Sequence, residues 1–380
     1  MKLHHHRTTR KLLVGVTAIL ATTSLIACSQ QPQSLEETSF PDYYPSEYSE
    51  IVEASKDEVN LDVYSIMAEE DWAPLLDGFA KLYPWVNVRT VDLGTTEVFE
   101  RYYAELSTGS PTADAIVSIA ADGWQRFIDR GELQAYESPE LGHLPDWAGQ
   151  WASHGLYAMS TDPFSIVYNT ALLPEGAEPP ASLADVTKLV TSDPEYYKGR
   201  VATYAGDAQW GMFWFAEQHH GDAFWTDMDA MAEAGALRFE ASGGAIGEKM
   251  VSGEYAVAFY VPLSTIPRGS EDFLKFSLME DGQVVSDRTI GVTKEAKSPN
   301  SAKLLIDFLL SAAGQTLIPL MERVPYRPDV RGAVEATGWW HLEGIVDDLG
   351  EDGVIHMGPV PEILADGEYD RIVAGFKNLG

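Results

Sequence analysis

The chain has 380 residues, of which 58 are acidic and 26 basic, so its formal net charge is −32. A surface this negative repels nucleic acid and anionic lipid headgroups, which argues against both as partners. Hydrophobic residues make up 45% and aromatic residues 11% of the chain, which predicts a folded protein of about two domains.

The N-terminal segment, residues 1–27, is predicted to be a signal peptide. Its basic start (Arg7, Arg10 and Lys11) is followed by the apolar run "LLVGVTAILATTSLIA". This run ends in "LIAC", which resembles a bacterial lipobox and predicts that Cys28 carries lipid after cleavage. Cys28 is also the only cysteine, so an intrachain disulfide and a thiolate metal site are excluded.

Residues 28–58 are predicted to be the lipidated cysteine, a tether and a short helix. The tether lacks apolar periodicity and contains prolines after a polar run. The stretch "EYSEIVEASKDE" predicts a helix behind Ser46 as the N-cap residue, with one apolar face made of Ile51, Val52 and Ala54.

From residue 59, predicted strands and helices alternate. The order is strand "NLDVYSIM", helix "DWAPLLDGFAKLYPW", strand "VNVRTVD", helix "TEVFERYYAEL", strand "AIVSI" and helix "GWQRFIDRGEL". A second series begins at "FSIVYNTALLP" and ends in one long predicted helix, "SAKLLIDFLLSAAGQTLIPL". This alternation is typical of an α/β protein with parallel strands. No later apolar run approaches the length of a membrane span.

Several of these stretches carry a family resemblance. "FSIVYNTALLP", "SGEYAVAFYV", "AKLLIDFLLSAAGQ" and "YRPDV" resemble the extracytoplasmic solute-binding proteins of ABC importers. The nearest likeness is to the family of ferric-iron, thiamine, phosphonate and phosphosugar binders, and it runs from about residue 47 to the C-terminal helix. It implies a two-lobed fold of the type II periplasmic-binding-protein kind, with the ligand in the cleft between lobes joined by crossover strands.

The resemblance also implies domain boundaries. The crossover strands are expected near residues 155–165 and 255–262. The expected parts are 59–150 as the first part of lobe one, 151–262 as lobe two, 263–330 as the second part of lobe one, and 331–380 as a C-terminal segment that packs on the lobes.

Small polar residues follow several predicted strands, where helices begin. Ligands of α/β sheets bind beyond the carboxyl ends of strands, where helix N-termini present unpaired N–H groups and a partial positive charge. The residues expected to contact ligand are Ser65, Met67, Thr95, Thr96, Ala121, Asp122, Gly206, Trp210, Ser242, Gly243, Tyr260 and Arg288.

Thr95 and Thr96 have two interpretations. They precede a helix with Glu97 in its first turn, which by itself favours ordinary capping. Gly94 permits close backbone approach, and the two-lobed arrangement puts this turn at the cleft, which favours ligand contact. The two roles can coexist.

Arginine and aromatic side chains are further candidates. Arg288 and Arg327 are possible counterions for an anion, because a guanidinium pairs bidentately with carboxylate or phosphate. A surface salt bridge is an equal alternative for Arg288 and the favoured interpretation for Arg327. Trp210 either stacks on a flat ligand or packs in a core, and Tyr260 beside Pro262 is expected to turn into the cleft.

Metal binding and catalysis find little support. Iron binders of the resembled family typically use adjacent tyrosines at the end of the last crossover strand, whereas "AFYVPL" has one tyrosine. We therefore predict no metal ligand and no cofactor, although a ferric-iron-binding protein stays an alternative. No HExxH, GxSxG or P-loop motif occurs, so the chain is predicted not to be an enzyme.

These observations predict a monomeric, lipid-anchored substrate-binding protein in the cell envelope, with its body in the periplasm or the extracellular space. It is expected to capture a small organic anion that bears carboxylate or phosphate and to deliver it to an ABC permease in the membrane. A ligand sensor for a membrane signalling kinase and a secreted hydrolase are the other classes that remain open.

Overall fold

The computed structural model describes residues 40–267 and 269–380. The predicted signal peptide, Cys28 and nearly all of the tether lie outside the described residues. The chain divides into two units, residues 1–41 and residues 42–380, and the second contains every element named below.

Helices and strands alternate along most of this unit. The helices are α1 Tyr48–Ser55, α2 Glu69–Leu82, α3 Glu97–Thr108, α4 Ala121–Asp129, α5 Leu183–Ser192, α6 Pro194–Tyr197, α7 Trp210–His220, α8 Asp222–Glu233, α9 Gly243–Ser252, α10 Pro299–Leu310, α11 Ala312–Leu317, α12 Arg331–Glu335, α13 Leu342–Leu349 and α14 Glu368–Asn378. The strands are β1 Asn60–Ser65, β2 Asn87–Asp92, β3 Ala115–Ser118, β4 Leu156–Asn169, β5 Val201–Tyr204, β6 Leu237–Glu240, β7 Val257–Pro262, β8 Leu274–Ser277, β9 Gln283–Val292 and β10 Val354–Met357.

The strands form one mixed sheet in the order β2-β1-β3-β9-β4-β7-β5-β6, with β10 on β9 and β8 on β4. β1 pairs in parallel with β2 and β3, as the strand–helix alternation predicts. β5 pairs in parallel with β6 and β7. β4 and β9 pair antiparallel between these two parallel groups and join them. The expected second crossover at residues 255–262 is therefore wrong, because this stretch contains β7, which pairs in parallel with β5 inside the second group. The carboxyl ends of β3 and β5 are followed by α4 and α7.

The two joining strands are buried along their whole length. β4 has 14 residues and β9 has ten, and all of them are buried. Their sequences still contain polar side chains, including Asp162, Asp287 and Arg288, each at most 4% exposed. A charged side chain in this position requires a partner or costs free energy.

The predicted long helix at residues 301–320 is wrong, because it is two helices. Ser311 lies between them in an extended conformation, with ψ of 162°. Its hydroxyl accepts a hydrogen bond from the Gly314 N–H at 3.2 Å and so caps α11. Gly314 also lets the two segments meet, since a Cβ there would lie 2.0 Å from the Phe308 carbonyl oxygen. The sequence did not reveal this break, because the segments on both sides of Ser311 are apolar and continue the same helical periodicity. The short strands β6 and β10 were not predicted either.

The predicted helix behind the tether is confirmed, but its details differ. α1 has no side-chain hydrogen bond at its N-cap, which is Glu47 rather than Ser46. The buried face consists of Tyr48, Val52 and Ser55, whereas Ala54 is exposed. α1 packs against α10, so the chain is tied to the body directly after the tether.

Among the described residues no single helix is long and apolar enough to cross a membrane. Only α10 together with residues 312–321 meets the length and composition test as a pair, and that pair is bent by 63°.

A buried carboxyl group joins α1 to α10. Asp307 Oδ2 accepts hydrogen bonds from the hydroxyls of Tyr48 at 2.8 Å and Tyr136 at 2.6 Å, and Oδ1 accepts one from Ser138 at 2.6 Å. Burial raises the pKa of Asp307 to about 7, although the three hydroxyl donors oppose the rise. The native state therefore binds a proton that the unfolded state releases near pH 4.

This proton makes stability depend on pH. Its stabilising contribution is complete below about pH 4 and is lost as the pH rises through about 7. We expect the free energy of unfolding of wild type, relative to that of the Asp307→Asn variant, to fall between pH 5 and pH 8. Urea unfolding at both pH values measures it. An equal change with pH in both proteins would contradict the assignment.

Candidate functional site

A cavity of about 340 Å³ lies where three helices begin. α3 and α4 reach it from the first parallel group of strands, and α7 reaches it from the second. Its lining residues are Gly94, Thr95, Thr96, Ile119, Ala120, Ala121, Asp122, Asp207, Ala208, Gln209, Trp210, Gly211, Met212, Ala241 and Met357. The structure thus brings five predicted ligand residues together: Thr95, Thr96, Ala121, Asp122 and Trp210.

The first wall is the turn before α3. Thr96 is its N-cap residue but makes no capping hydrogen bond with its side chain. Glu97 Oε2 accepts from the Gly94 N–H at 3.0 Å, which fixes the turn before α3 but caps none of the first N–H groups of the helix itself. Within the described part of the chain, neither hydroxyl of Thr95 and Thr96 has a hydrogen-bond partner. Side-chain capping by the threonines is therefore wrong, and both hydroxyls are available at the cavity.

The second wall is the start of α4. Its N-cap residue, Ala120, has no side chain that could cap the helix. Ser118 ties this turn to the first wall, because its hydroxyl donates to the Thr95 carbonyl oxygen at 2.8 Å and accepts from the Ala120 N–H at 3.1 Å. Asp122 forms an ion pair with Arg126 one turn along the helix, so its charge is partly neutralised.

The third wall is the start of α7. Gln209 is the N-cap residue and makes no capping hydrogen bond with its side chain. Trp210 is 7% exposed and packs edge-on against Tyr369, with ring centroids 5.5 Å apart. It lines the cavity and is held by packing, so the packing interpretation is confirmed and stacking on a ligand stays a prediction.

The three helix starts give the cavity a positive electrostatic character. Each α-helix begins with N–H groups that have no partner inside the helix and with a partial positive charge. Here three such ends, none with a side-chain cap, border one cavity. Its lining contains no lysine or arginine, and its only charged residues are Asp122 and Asp207. Backbone groups are thus the positive elements of this site.

Ser65 and Met67 do not line this cavity. The Ser65 hydroxyl accepts from the Met67 N–H and from the Trp72 indole, both at 3.0 Å, which closes the turn after β1. Gly206 borders a neighbouring cavity of about 210 Å³, and a Cβ there would lie 2.6 Å from Phe376.

Ser242 and Gly243 have structural roles at the start of α9. Ser242 caps the helix by accepting from the Ala245 N–H at 3.2 Å. Gly243 lies so close to Tyr204 that a Cβ would come within 2.7 Å of its hydroxyl oxygen. Their neighbour Ala241 lines the cavity, although it was not predicted.

Tyr260 is turned away from the cavity by a β-bulge. Opposite β4, Ser165 pairs with Val261 and Ile166 pairs with Phe259, so Tyr260 is the extra residue. Its φ is +50°, in the left-handed region. The side chain is fully buried against Phe213 and Phe224, and its hydroxyl lies 3.1 Å from His220 Nε2.

The two candidate arginines lie elsewhere and are both buried. Arg327 does form a salt bridge, but the prediction of a surface position is wrong: it is 2% exposed and pairs with Glu140 and Asp329. Arg288 is 4% exposed and forms an ion pair with Asp162, with 3.7 Å between Arg288 Nη2 and Asp162 Oδ2.

A larger cavity, of about 650 Å³, lies between α13, β10 and the turn at Asp146–Gly149. Its wall includes Trp147 stacked on His356, with ring centroids 4.0 Å apart. It does not lie at the carboxyl ends of the parallel strands, where ligands of α/β sheets bind. We therefore take the smaller cavity as the candidate site.

Some residues of the candidate site had no signal in the sequence. Met357 comes from β10, which pairs with β9 and is far from the other walls in sequence. Asp207 and Gln209 were foreseeable from the strand-to-helix junction that contains Gly206 and Trp210. Among the described residues no group of three or more histidine, cysteine or acidic side chains is arranged to hold a metal ion.

All lining residues of the cavity except Met357 lie in a stretch of chain that matches a known protein family. A family model described as bacterial extracellular solute-binding protein matches residues 75–344. The chain belongs to this solute-binding family. The match runs from α2 into α13 and includes all three helix starts at the cavity. It confirms the resemblance seen in the sequence. A search of the curated proteins found no significant match.

Solved structures share the fold. The substrate-binding protein of an ABC transporter from Agrobacterium tumefaciens has a TM-score of 0.74 and 22% identity, covering 87% of this chain and 96% of that one. Iron-bound HitA from Pseudomonas aeruginosa has a TM-score of 0.61 and 17% identity, covering 85% and 99%. AfuA from Actinobacillus pleuropneumoniae, with fructose-6-phosphate bound, has a TM-score of 0.56 and 19% identity, covering 68% and 81%. These likenesses confirm the predicted two-lobed α/β fold.

Proposed function

We propose that this solute-binding protein captures a small organic anion in the 340 Å³ cavity and delivers it to an ABC permease. The observation that carries the anion is the meeting of three helix N-termini without side-chain caps. Unpaired N–H groups and the partial positive charge of helix ends stabilise carboxylate or phosphate without a lysine or arginine. Binding and release of the solute require no catalysis, so the protein is not an enzyme in this proposal.

The proposed mechanism is closure of two lobes around the solute. α3 and α4 follow strands of one parallel group and α7 follows a strand of the other, so a ligand that touches all three bridges the lobes. β4 and β9 connect the groups and are the elements about which the lobes would rotate. Contacts made only in the closed state would then shift the population towards it.

The N-terminal segment is proposed to hold this extracellular protein at the membrane. We propose that residues 1–27 are removed and that Cys28 carries lipid, which holds a monomeric body at the membrane next to the permease. A Cys28→Ser variant should then leave the membrane fraction, whereas retention there would contradict the anchor.

The threonine hydroxyls offer a direct test. We expect the Thr95→Ala/Thr96→Ala double variant to bind its anion about 10–100-fold more weakly, because each hydroxyl lost is a hydrogen bond to a charged group. Its free energy of unfolding should change by less than about 0.5 kcal/mol, since neither hydroxyl caps α3. Calorimetry with citrate, malate, succinate and glycerol 3-phosphate, after native mass spectrometry for a retained ligand, measures the affinity.

Thr226→Ala is the matched control. Thr226 is an exposed helical threonine whose hydroxyl donates to the Asp222 carbonyl oxygen of its own helix, at 2.9 Å. The Thr226→Ala variant should bind the anion with the same affinity as wild type. If the double variant loses stability but keeps its affinity for the anion, Thr95 and Thr96 have a structural role and do not contact the ligand.

Ferric iron is the second candidate ligand. The lining of the cavity contains no tyrosine or histidine, and Tyr260 is held in the core by its contact with His220. These facts favour the anion over the metal. Binding of ferric ion in the absence of any organic acid, with no response to the anions, would reverse this preference. Kinase genes beside this gene, in place of permease and ATPase genes, would favour a sensor.

A further inference from the structure

The larger cavity, of about 650 Å³, is lined by different chemistry from the candidate site. Six of its twelve lining residues are apolar, and they include the rings of Trp147 and Tyr326. The polar half consists of one arginine, one histidine and four carboxylates. A cavity of this size with an apolar wall and a few polar groups is typical of a small-molecule site.

The histidine of this cavity, His356, is held in one orientation. Its Nδ1 lies 2.9 Å from Oδ1 of Asp287, a fully buried residue of β9. Burial raises the pKa of Asp287, and the charge and hydrogen bond of His356 oppose the rise. Trp147 stacks on the imidazole at 4.0 Å, with 20° between the ring planes. These two contacts fix both the edge and the face of the ring.

The second ring nitrogen of His356 is left for a ligand. With the Nδ1 proton donated to the carboxylate, Nε2 of the neutral ring is a hydrogen-bond acceptor. In the described part of the chain Nε2 has no hydrogen-bond partner, and neither has Oδ2 of the buried Asp287 behind the ring. A buried carboxylate with an unpaired oxygen favours positive charge nearby.

The carboxylates of the lining leave the cavity with a net negative charge. Arg331 is already engaged, because it pairs with Glu335 at 2.8 Å and with Asp347 at 2.7 Å. Asp146 and Glu351 form no ion pair within the residues that the structure describes, and both are exposed. Their charge is therefore available to a ligand at the mouth of the cavity.

The available polar groups of this cavity are acceptors. Carboxylates and an imidazole Nε2 accept hydrogen bonds, an ammonium group offers three donors, and aromatic faces attract cations. The candidate site is the opposite case, since helix ends present N–H donors there. A metal ion is disfavoured, because the described residues contain no metal-binding group of three histidine, cysteine or acidic side chains. An organic cation with an apolar body matches both halves of the lining.

We propose that the 650 Å³ cavity is a second binding site, which takes a primary amine with an apolar body. The ammonium group donates to His356 Nε2 and is stabilised by the carboxylates, while the hydrocarbon part packs against Trp147 and Val346. This inference goes beyond the proposed function, because the anion has its own cavity. β10 contributes to both: Met357 lines the smaller cavity and His356 the larger, as alternate residues of a strand point to opposite faces.

Matched ligands test the ammonium group. The probes are phenethylamine and hexylamine, each compared with its N-acetyl and its N,N,N-trimethyl derivative. Acetylation removes the charge, whereas trimethylation keeps the charge and removes every N–H donor. In calorimetry with wild type at pH 7.5, at least one parent amine should bind about 10-fold or more tightly than both of its derivatives.

The His356→Asn variant tests the histidine. The asparagine amide keeps a donor near the position of Nδ1 for Asp287 but has no group at the position of Nε2. We expect this variant to bind the parent amine about 10-fold or more weakly than wild type. His154→Asn is the matched control, because His154 is an exposed histidine outside the lining of the cavity, and its affinity should equal that of wild type.

A second variant does not disturb the core. Asp146→Asn/Glu351→Gln neutralises two exposed carboxylates without changing their size, so the protein should fold as wild type does. We expect about 3–10-fold weaker binding of the parent amine, and a smaller difference at high salt because ions screen exposed charges. This variant decides the location of the amine if His356→Asn fails to fold.

Several results would overturn the proposal. If neither parent amine binds wild type, the cavity is not an amine site. If the N-acetyl derivatives bind as tightly as the parents, the cavity selects only an apolar body. If the trimethyl derivatives bind as tightly as the parents, His356 Nε2 accepts no hydrogen bond from the ligand. If the folded His356→Asn variant and the double variant keep full affinity, the amine binds elsewhere on the protein.

Discussion

Replacing Glu140 by alanine is expected to lower the free energy of unfolding by about 3–5 kcal/mol. Glu140 is fully buried and pairs with Arg327, whose side chain is 2% exposed. It also accepts hydrogen bonds from Tyr43 at 3.0 Å and Tyr44 at 2.5 Å. Without Glu140 the guanidinium loses its buried carboxylate partner, and the segment before α1 loses an anchor to the body. Urea unfolding of ligand-free protein, followed by tryptophan fluorescence, measures the change.

Asp329→Ala is the matched control for this variant. It removes a second carboxylate from the same guanidinium, but the Asp329 side chain is 52% exposed. An exposed ion pair contributes about 0–1 kcal/mol because water screens it. The two variants therefore differ mainly in burial. Equal losses of stability in the two variants would show that the buried pair of Arg327 with Glu140 stabilises the protein no more than the exposed pair with Asp329.

A negative charge at the cavity is expected to abolish anion binding. In the Thr95→Glu variant the new carboxylate lies at the start of α3, where it is compatible with the helix dipole and with folding. It would occupy the electrostatic site that the helix ends provide for the solute. We expect affinity for the bound anion to fall by at least about 100-fold, corresponding to about 2.7 kcal/mol. Calorimetry with the tightest-binding anion of the panel measures this loss.

Thr95→Gln separates charge from size. Glutamine has the length and shape of glutamate without its charge, so its loss of affinity reports only crowding and the missing hydroxyl. We expect Thr95→Gln to bind at least about 10-fold more tightly than Thr95→Glu. A higher salt concentration should narrow the gap, because ions screen an exposed charge. Equal affinities in the two variants would mean that the cavity does not hold an anion.

Part of the candidate site could be predicted from the sequence. The turns at Thr95–Thr96 and Ala121–Asp122 were recognisable because a strand, a small polar turn and a helix follow one another within a few residues. The role of Thr96 was not, since it is the N-cap residue of α3 but makes no capping hydrogen bond with its side chain. Threonine is suited to capping by type, and only the three-dimensional arrangement determines whether its hydroxyl reaches a helix N–H group.

The remaining site predictions depended on side-chain direction. Tyr260 was placed at the end of the correct strand, but a one-residue bulge turns it into the core. Arg288 was recognised as a charge in a strand, but its neighbours Asp162 and Arg323 come from parts of the chain far away in sequence. A bulge and a long-range ion pair leave no periodic pattern, so no local reading reveals them.

By itself the sequence determined the order of the main strands and helices, the family and the strand ends at which helices begin. These follow from hydrophobic periodicity and turn residues, which act over a few neighbouring positions. Only the tertiary structure decided that α3, α4 and α7 border one cavity, that Met357 joins it, and that Asp162 and Arg288 lie next to each other in the buried joining strands. Such contacts are made between residues distant in the chain, and their geometry depends on how whole strands pair and whole helices pack.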